Sequence, residues 1–266
     1  MSKCITVEDL GLQREHFIKE VRGYSVYLKA YSHNLSLDTK VFRYMKLSTL
    51  LDMLFYSILH VSNRESFSDL REKKGLNDIA EKLSSFAPVP SYMDKLRLRK
   101  AEKDKSRALS VCVSCWTLDN REGETNDESF LMWKAYSNDE TICRVGTTIG
   151  QLINCIKKTP ADIVISDVDY NGQKDMNSYE NLIYRKSIFY KDEQEVRMAV
   201  LSNNRNGINL TIDNSVLLRE IKISPFIPPV HAYFVLKGLK EFCKRCTDVK
   251  IEYSKVMESL VSLKIV

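Results

Sequence analysis

Glycine and proline are scarce, nine and six among 266 residues, while 44% of the chain is hydrophobic. That balance excludes a collagen-like, linker-like or disordered chain. No apolar run approaches the roughly 18 residues of a spanning helix. The longest candidate, Leu47 to Ser62, is interrupted by Asp52 and carries several hydroxyls, so no membrane partner is expected. Met1-Ser2-Lys3-Cys4 opens the chain without the apolar stretch of a secretory signal, which predicts a cytoplasmic protein. There is no P-loop, no GxGxxG, no GxSxG and no HExxH, which removes the commonest phosphate-binding, dinucleotide, serine-hydrolase and zinc-protease signatures. The four histidines, His16, His33, His60 and His231, are far apart, so no histidine-built metal site is expected.

Cysteine is present in an odd number, seven, which argues against a disulfide framework. Two CxxC spacings occur, Cys112–Cys115 and Cys243–Cys246. The first pair falls in a strand-like run, where residues three apart face opposite ways. The second falls in a helical pattern without a glycine-rich knuckle. Both read as buried reduced thiols rather than a zinc site. The net charge of +5 is concentrated: from Asp94 to Arg107 there are seven bases against three acids. A solvated helix or loop accounts for such a stretch, and contact with nucleic acid from Lys95 to Arg107 is the alternative.

Apolar spacing at Phe17, Val21, Tyr24, Leu28 and Tyr31 predicts a helix. A strand is expected at 41–45, a helix capped by Ser48 and burying Leu50, Leu51, Leu54 and Phe55, and a strand at 58–61. Further strands are expected at 109–116, 141–145, 163–166, 195–201, 208–212, 221–223 and 249–253. Helical segments are expected at 130–136, at 150–158 and after Pro228-Pro229. Strands and helices do not alternate regularly, so the fold class is α+β, a mixed, largely antiparallel sheet core with flanking helices. The expected organisation is an N-terminal helical extension over 1–38 and a single α+β domain over 39–266. A helical, basic insertion is placed at about 70–107.

Three clusters carry chemistry. In Glu193-Gln194-Glu195-Val196-Arg197, a strand would set both glutamates and Arg197 on one face and Val196 on the other. The plain reading is a solvent-facing edge strand with paired charges; the functional one is a site for developing positive charge or sugar hydroxyls. Trp133 and Tyr136 would share a helix face, as core packing or as a stacking surface for a planar ring. Arg43 lies between Phe42 and Tyr44, which point the other way, so it meets solvent or an anion.

In order, these segments resemble a large bacterial family of unknown function, numbered 2971. The resemblance runs from Arg43-Tyr44 with Leu50, Leu51 and Leu54, through Ser66, Phe67, Asp69 and Glu72, to Cys115-Trp116-Thr117. It continues with Met132-Trp133-Lys134-Ala135-Tyr136, Lys186 with Glu193-Gln194-Glu195-Val196-Arg197, and Ile221-Lys222-Ile223-Ser224-Pro225. It covers roughly residues 40 to 255 and departs from the family by lacking Asn and Pro after Phe67 and Gly near Tyr136. The order of its segments is in turn similar to that of ADP-ribosyltransferases, which split the nicotinamide glycosidic bond of NAD through an oxocarbenium-like ribosyl cation, as in glycoside hydrolysis. The resemblance implies an ADP-ribosyltransferase-like fold, with NAD as substrate and no metal. Glu195 and Glu193 would be catalytic, the first holding the ribose, the second orienting the acceptor. The NAD-binding set would be Arg43 for the pyrophosphate, Thr117 near the ribose, Tyr136 as ring platform, and Tyr44, Trp133 and Arg197. It also implies a transferase or NAD glycohydrolase acting as a toxin or antiviral defence protein, with a protein or nucleic-acid acceptor and a regulatory partner. The rival reading is a non-catalytic binding or regulatory module in which Arg197 pairs with Glu193 or Glu72 as a structural ion-pair network. Convergence of Arg43, Thr117, Tyr136 and Glu195 on one cleft separates the two.

Overall fold

The structure is a computed structural model that describes residues 17–29, 35–63, 99, 100, 103, 111–118, 128–137, 141–170, 183–202, 204, 206–243 and 249–256. Most of the expected basic insertion, Cys246, and the 66–72 part of the family resemblance with Glu72 lie outside the described residues. In chain order the elements are β1 (Phe17–Val21), β2 (Tyr24–Lys29), β3 (Lys40–Lys46), α1 (Leu47–Tyr56), β4 (Ile58–Asn63), β5 (Cys112–Thr117) and α2 (Phe130–Tyr136). They continue with β6 (Ile142–Thr148), α3 (Ile149–Asn154), β7 (Ile156–Lys158), β8 (Ile163–Asp167), a 3-10 helix (Ile188–Glu193), β9 (Glu195–Val200) and β10 (Ile208–Ile212). The chain ends its described part with α4 (Asn214–Leu217), β11 (Glu220–Ile223), α5 (Pro229–Cys243) and β12 (Lys250–Tyr253). No helix among the described residues is long and apolar enough to cross a membrane.

The α+β class expected from the sequence is what the fold shows. One twisted sheet runs in the order β1-β2-β8-β9-β5-β3-β6-β11-β12, with β4, β10 and β7 branching from it. Among the described strands, β2–β8 and β11–β12 pair in parallel and the other ladders are antiparallel. The helix expected from Phe17 is instead the β1–β2 hairpin. Arg22 and Gly23 both take positive φ, 51° and 87°, the conformation of the two-residue turn that matches strand twist. Val26 and Leu28 then alternate inward, so spacing that fits one helix face also fits two short strands. The helix expected over 150–158 is α3 followed by β7. Its start is fixed by a reciprocal cap between Thr148 and Gln151. Helix α1 begins directly from β3 at Leu47, without a capping side chain, rather than at Ser48.

Strand parity sorts the core into two layers. Val41, Met45, Trp116, Val196, Met198 and Val200 join the main apolar cluster, shared with α1, α3 and α5. The opposite face carries two smaller clusters, one of Val113, Val164, Ile183, Tyr184 and Ala199, the other of Tyr44, Met132, Trp133 and Ile142. Between these two small clusters the sheet forks. On one side β5 pairs with β9 from Cys112 to Thr117. On its other side it meets β3 only at Phe42↔Thr117 and β4 only at Ser62↔Val113 and Asn63↔Cys112. The middle of β5, Ser114 to Trp116, therefore has no ladder partner there among the described residues.

The fork depends on β4 staying paired with β10, and Gly207 sets the entry to β10. Gly207 has φ +76°, and a Cβ there would lie 2.7 Å from the Val61 carbonyl and 2.9 Å from the His60 ring. Gly207→Ala is expected to cost about 1–3 kcal/mol through forced backbone strain. Gly238→Ala, in an open position of α5, is expected to gain about 0.5–1 kcal/mol from helix propensity. Thermal denaturation of the two variants side by side checks the contrast.

Candidate active site

Strand parity puts Phe42, Cys115, Thr117, Glu195 and Arg197 on the face away from the main core, since paired residues across the ladder share a face. Phe42, Thr117 and Glu195 stand side by side in one row across β3, β5 and β9. Tyr44 follows on the same face and supports α2: Trp133 meets its ring edge-on at 4.9 Å and Tyr136 stacks on it at 6.1 Å. These groups border a cleft of about 310 Å³ whose lining includes Arg43, Tyr44, Cys115, Thr117, Tyr136, Lys186, Glu193 and Glu195.

The carboxylate wall is held tightly. Glu195 is 4% exposed, and its two oxygens accept from Arg197 Nε at 2.8 Å and from the terminal nitrogen Nη2 at 2.9 Å. Arg197, fully buried, also donates to the Ile183 carbonyl at 2.7 Å. Lys186 Nζ bridges Glu193 at 2.6 Å and Glu195 at 3.3 Å and lies 4.6 Å from the centre of the Tyr190 ring. Burial opposes ionisation of Glu195, but Arg197 and Lys186 outweigh it and hold the carboxyl at about 2. It is thus a fixed negative charge over the whole physiological range. The Glu195 N–H donates to the Tyr170 hydroxyl at 2.8 Å, which fixes the strand where it enters the site.

Glu193 arrives differently from the expectation. It ends the 3-10 helix, and Gln194 turns through a left-handed φ of 42° before β9 begins at Glu195. Glu193 therefore reaches the cleft from a turn, tied to Glu195 through Lys186, and not along a shared strand face. Nor is β9 a solvent-facing edge: it lies between β5 and β8, and all six of its residues are buried. Thr117 Oγ1 donates to the Glu193 carbonyl at 2.6 Å, so its hydroxyl offers a ligand an acceptor.

Arg43 occupies the fork. Its side chain donates to Ser114 Oγ at 3.0 Å and to the His60 carbonyl at 3.5 Å, with the Trp116 ring centroid 6.0 Å away. Among the described residues no carboxylate is within ion-pair distance of it. Burial disfavours its charged form, yet a guanidinium keeps its proton in proteins. The site thus holds an incompletely compensated cation at the fork and a compensated carboxylate pair on the opposite wall.

Two expected residues do not line the cleft. Trp133 is fully buried, its indole N–H donating to Glu128 Oε2 at 3.1 Å; it supports Tyr44 from behind instead of offering a stacking face. Arg197 lies beneath Glu195 and pairs with it, not with Glu193; Glu72, the other partner considered, lies outside the described residues. Sequence reasoning gave no role to Lys186, Glu128 or Arg144. Glu128 gathers Trp133, Lys222 (2.8 Å) and Ser254, and Arg144 packs 4.1 Å over the Phe42 ring while pairing with Glu220. Lys186 stands in the resemblance without a role although its partners are only seven and nine residues on, while Arg144 and Glu128 have no local spacing signal for Glu220, Lys222 and Ser254, which lie far along the chain. Cys112 is buried in the main core with its thiol pushed up to about 11 by desolvation, while Cys115 is half-buried on the cleft side. Among the described residues no cluster of His, Cys, Asp and Glu could hold a metal ion.

No family model matches the chain, so the resemblance to the family numbered 2971 gains no support from that comparison, and no curated protein matches it. Solved structures of DarT from Thermus sp. 2.9 are similar to it. The complex with ADP-ribosylated ssDNA is 12% identical with a TM-score of 0.38, covering 84% of this chain and 97% of that one. The complex with NAD+ is 10% identical with a TM-score of 0.39, covering 84% and 98%. The complex with carba-NAD+ is 10% identical with a TM-score of 0.34, covering 82% and 96%. Likeness at this level transfers no residue role and no substrate to this chain.

Proposed function

We propose that the cleft binds NAD and cleaves its nicotinamide glycosidic bond, passing ADP-ribose to a macromolecular acceptor or to water. The observation that carries this reading is the charge order of one cleft. A half-buried guanidinium, with no carboxylate at ion-pair distance among the described residues, stands at the fork, an aromatic wall of Tyr44 and Tyr136 on one side, and a permanently ionised Glu195 opposite. Arg43, Lys186 and Arg197 against Glu193 and Glu195 leave one positive charge in excess. NAD, with two phosphate charges and a cationic ring, carries the matching single negative charge.

On this reading each group has a role. Arg43 takes the pyrophosphate, for which a guanidinium fork is suited. Tyr136 flanks the nicotinamide ring, and Thr117 and Glu195 accept from ribose hydroxyls. The C1′–N bond breaks with its electron pair leaving on nicotinamide, and the cationic C1′ is met by the field of Glu195. Because Arg197 occupies both Glu195 oxygens and keeps the group deprotonated, Glu195 serves as a preorganised charge and not as a general base. Glu193, about a third exposed at its side chain, faces the side from which a nucleophile enters. The nucleophile then bonds to C1′ and its proton passes to solvent water at the open side of the cleft.

The structural ion-pair reading has its own support in the two-point contact of Arg197 with Glu195. Nicotinamide release and NAD binding separate the two. Wild type is expected to release nicotinamide from NAD, and Arg43→Met to weaken NAD binding by about 10–100-fold, the worth of a charge-assisted contact to phosphate. Absence of both binding and release by the wild type with protein, DNA and RNA acceptors supplied overturns the enzyme reading in favour of the ion-pair network.

A further inference from the structure

Helix α5 is apolar on two sides. One stripe, Ala232, Leu239 and Cys243, is buried in the main core. The other side carries Tyr233, Phe234 and Phe242, all exposed to solvent. Val230, Phe234 and Phe242 follow one i, i+4 ridge of the helix. At the end of that ridge Phe242 meets Phe55 of α1, with ring centres 6.1 Å apart, and Phe55 meets Tyr56 at 5.3 Å. Tyr233 meets Phe234 at 5.6 Å. Five of the exposed aromatic side chains among the described residues are thus gathered on α1 and α5, between 36% and 70% exposed. A helix whose apolar residues reach round to the solvent side is ordinarily covered. At about 150–250 Å² for each aromatic side chain, these five leave roughly 600 Å² uncovered, the upper end of what one apolar patch on a monomer shows.

We infer that this face is covered by the same face of a second copy of the chain, in a twofold dimer. Size and charge favour that occupant. A standard interface takes about 800 Å² from each partner, and the aromatic patch supplies roughly three quarters of that before its polar rim is counted. The charged residues of the two helices, Lys237 and Lys240 against Asp52 and Glu241, cancel. Across a twofold axis each copy meets its own surface, so a balanced rim avoids a clash of like charges. An anionic membrane or a nucleic acid would instead call for a basic excess around the patch. Aromatic side chains are also the type enriched at the centre of interfaces. Both helices share the main core, on the face of the sheet away from the carboxylate wall, so pairing leaves each cleft open. The inference therefore stands apart from the proposed function.

The experiment is sedimentation of the full chain over a concentration series, compared with Phe234→Glu on α5 and Phe55→Glu on α1. Phe17→Glu is the control: Phe17 is 52% exposed and lies on β1, at the opposite edge of the sheet from β12. Circular dichroism melting identifies which variants remain folded; the two patch residues are on different helices, so one serves if the other unfolds. The expected result is a wild-type dimer with Kd on the order of 10 µM or tighter, weakened about tenfold or more by either patch variant and unchanged in the control. A wild type that stays monomeric at about ten times that concentration overturns the dimer and leaves the face to a different occupant. A dimer that persists in the folded patch variants, or that the control weakens as much as they do, overturns the assignment to this face.

Discussion

Glu195→Gln is expected to cut nicotinamide release by about 10²–10³-fold while changing NAD binding by less than about threefold, as for loss of a preorganised group aimed at developing charge. The amide keeps a hydrogen-bond acceptor for a ribose hydroxyl but removes the charge that the ribosyl cation meets. Single-turnover release beside equilibrium binding checks the split. An equal loss in both would place Glu195 in ground-state binding only. The same carboxylate carries a pH signature. Its folded pKa of about 2 is below the 4.5 of an ordinary glutamate, so the folded state binds fewer protons than the unfolded one. The associated stability, about 3 kcal/mol by linkage, is fully present above about pH 5 and is lost as pH falls through the folded value. Denaturant unfolding between pH 3 and 7 should show that acid slope in wild type and a shallower one in Glu195→Gln.

Arg197→Met is expected to have the largest effect on stability. It leaves Glu195 buried with Lys186 as its remaining charged partner, and breaking one side of a buried pair costs about 3–5 kcal/mol. For a chain of this length that lowers Tm by about 6–20 °C. The double variant Glu195→Gln/Arg197→Met removes both charges and should recover about 2 kcal/mol relative to the sum of the single losses. Strict additivity would show that the two groups stabilise the fold independently, against the geometry. The two experiments bear on different links. The first asks what the charge does to a reacting sugar, the second what it costs the sheet to keep that charge inside.

Much of the fold was legible because its strands are short apolar runs or carry period-two apolar patterns. The 41–45, 58–61, 163–166 and 208–212 strands coincide with β3, β4, β8 and β10 within a few residues. The failures share a physical cause. Phe17 to Leu28 has a spacing that both a helix and a pair of strands satisfy, and only the Arg22-Gly23 turn decides between them. Glu193 and Glu195 are two apart in the sequence, but a left-handed residue between them breaks the alternation that would have set them on one face. Trp133 and Tyr136 share a helix face in projection. Tertiary packing divides them, one sealed against Glu128 and Tyr44, the other open to the cleft.

The sequence by itself determined the α+β class, the order of most elements, and which residue types were present for chemistry: an arginine between two aromatics, a Glu-x-Glu-x-Arg run, and a Trp-x-x-Tyr helix. Those properties are local, written in the spacing of apolar and charged side chains over a few residues. The tertiary structure alone decided that β3 and β4 leave β5 at opposite ends, that Arg43 fills the gap between them, and that Lys186 ties Glu193 to Glu195. It also set Arg197 beneath the site as an anchor. The first two are relations between strands far apart in the chain, and no local periodicity encodes which strands become neighbours. The contacts of Lys186 and Arg197 with the glutamates span only two to nine residues, but they depend on the left-handed turn at Gln194 and on the burial of β9 between β5 and β8.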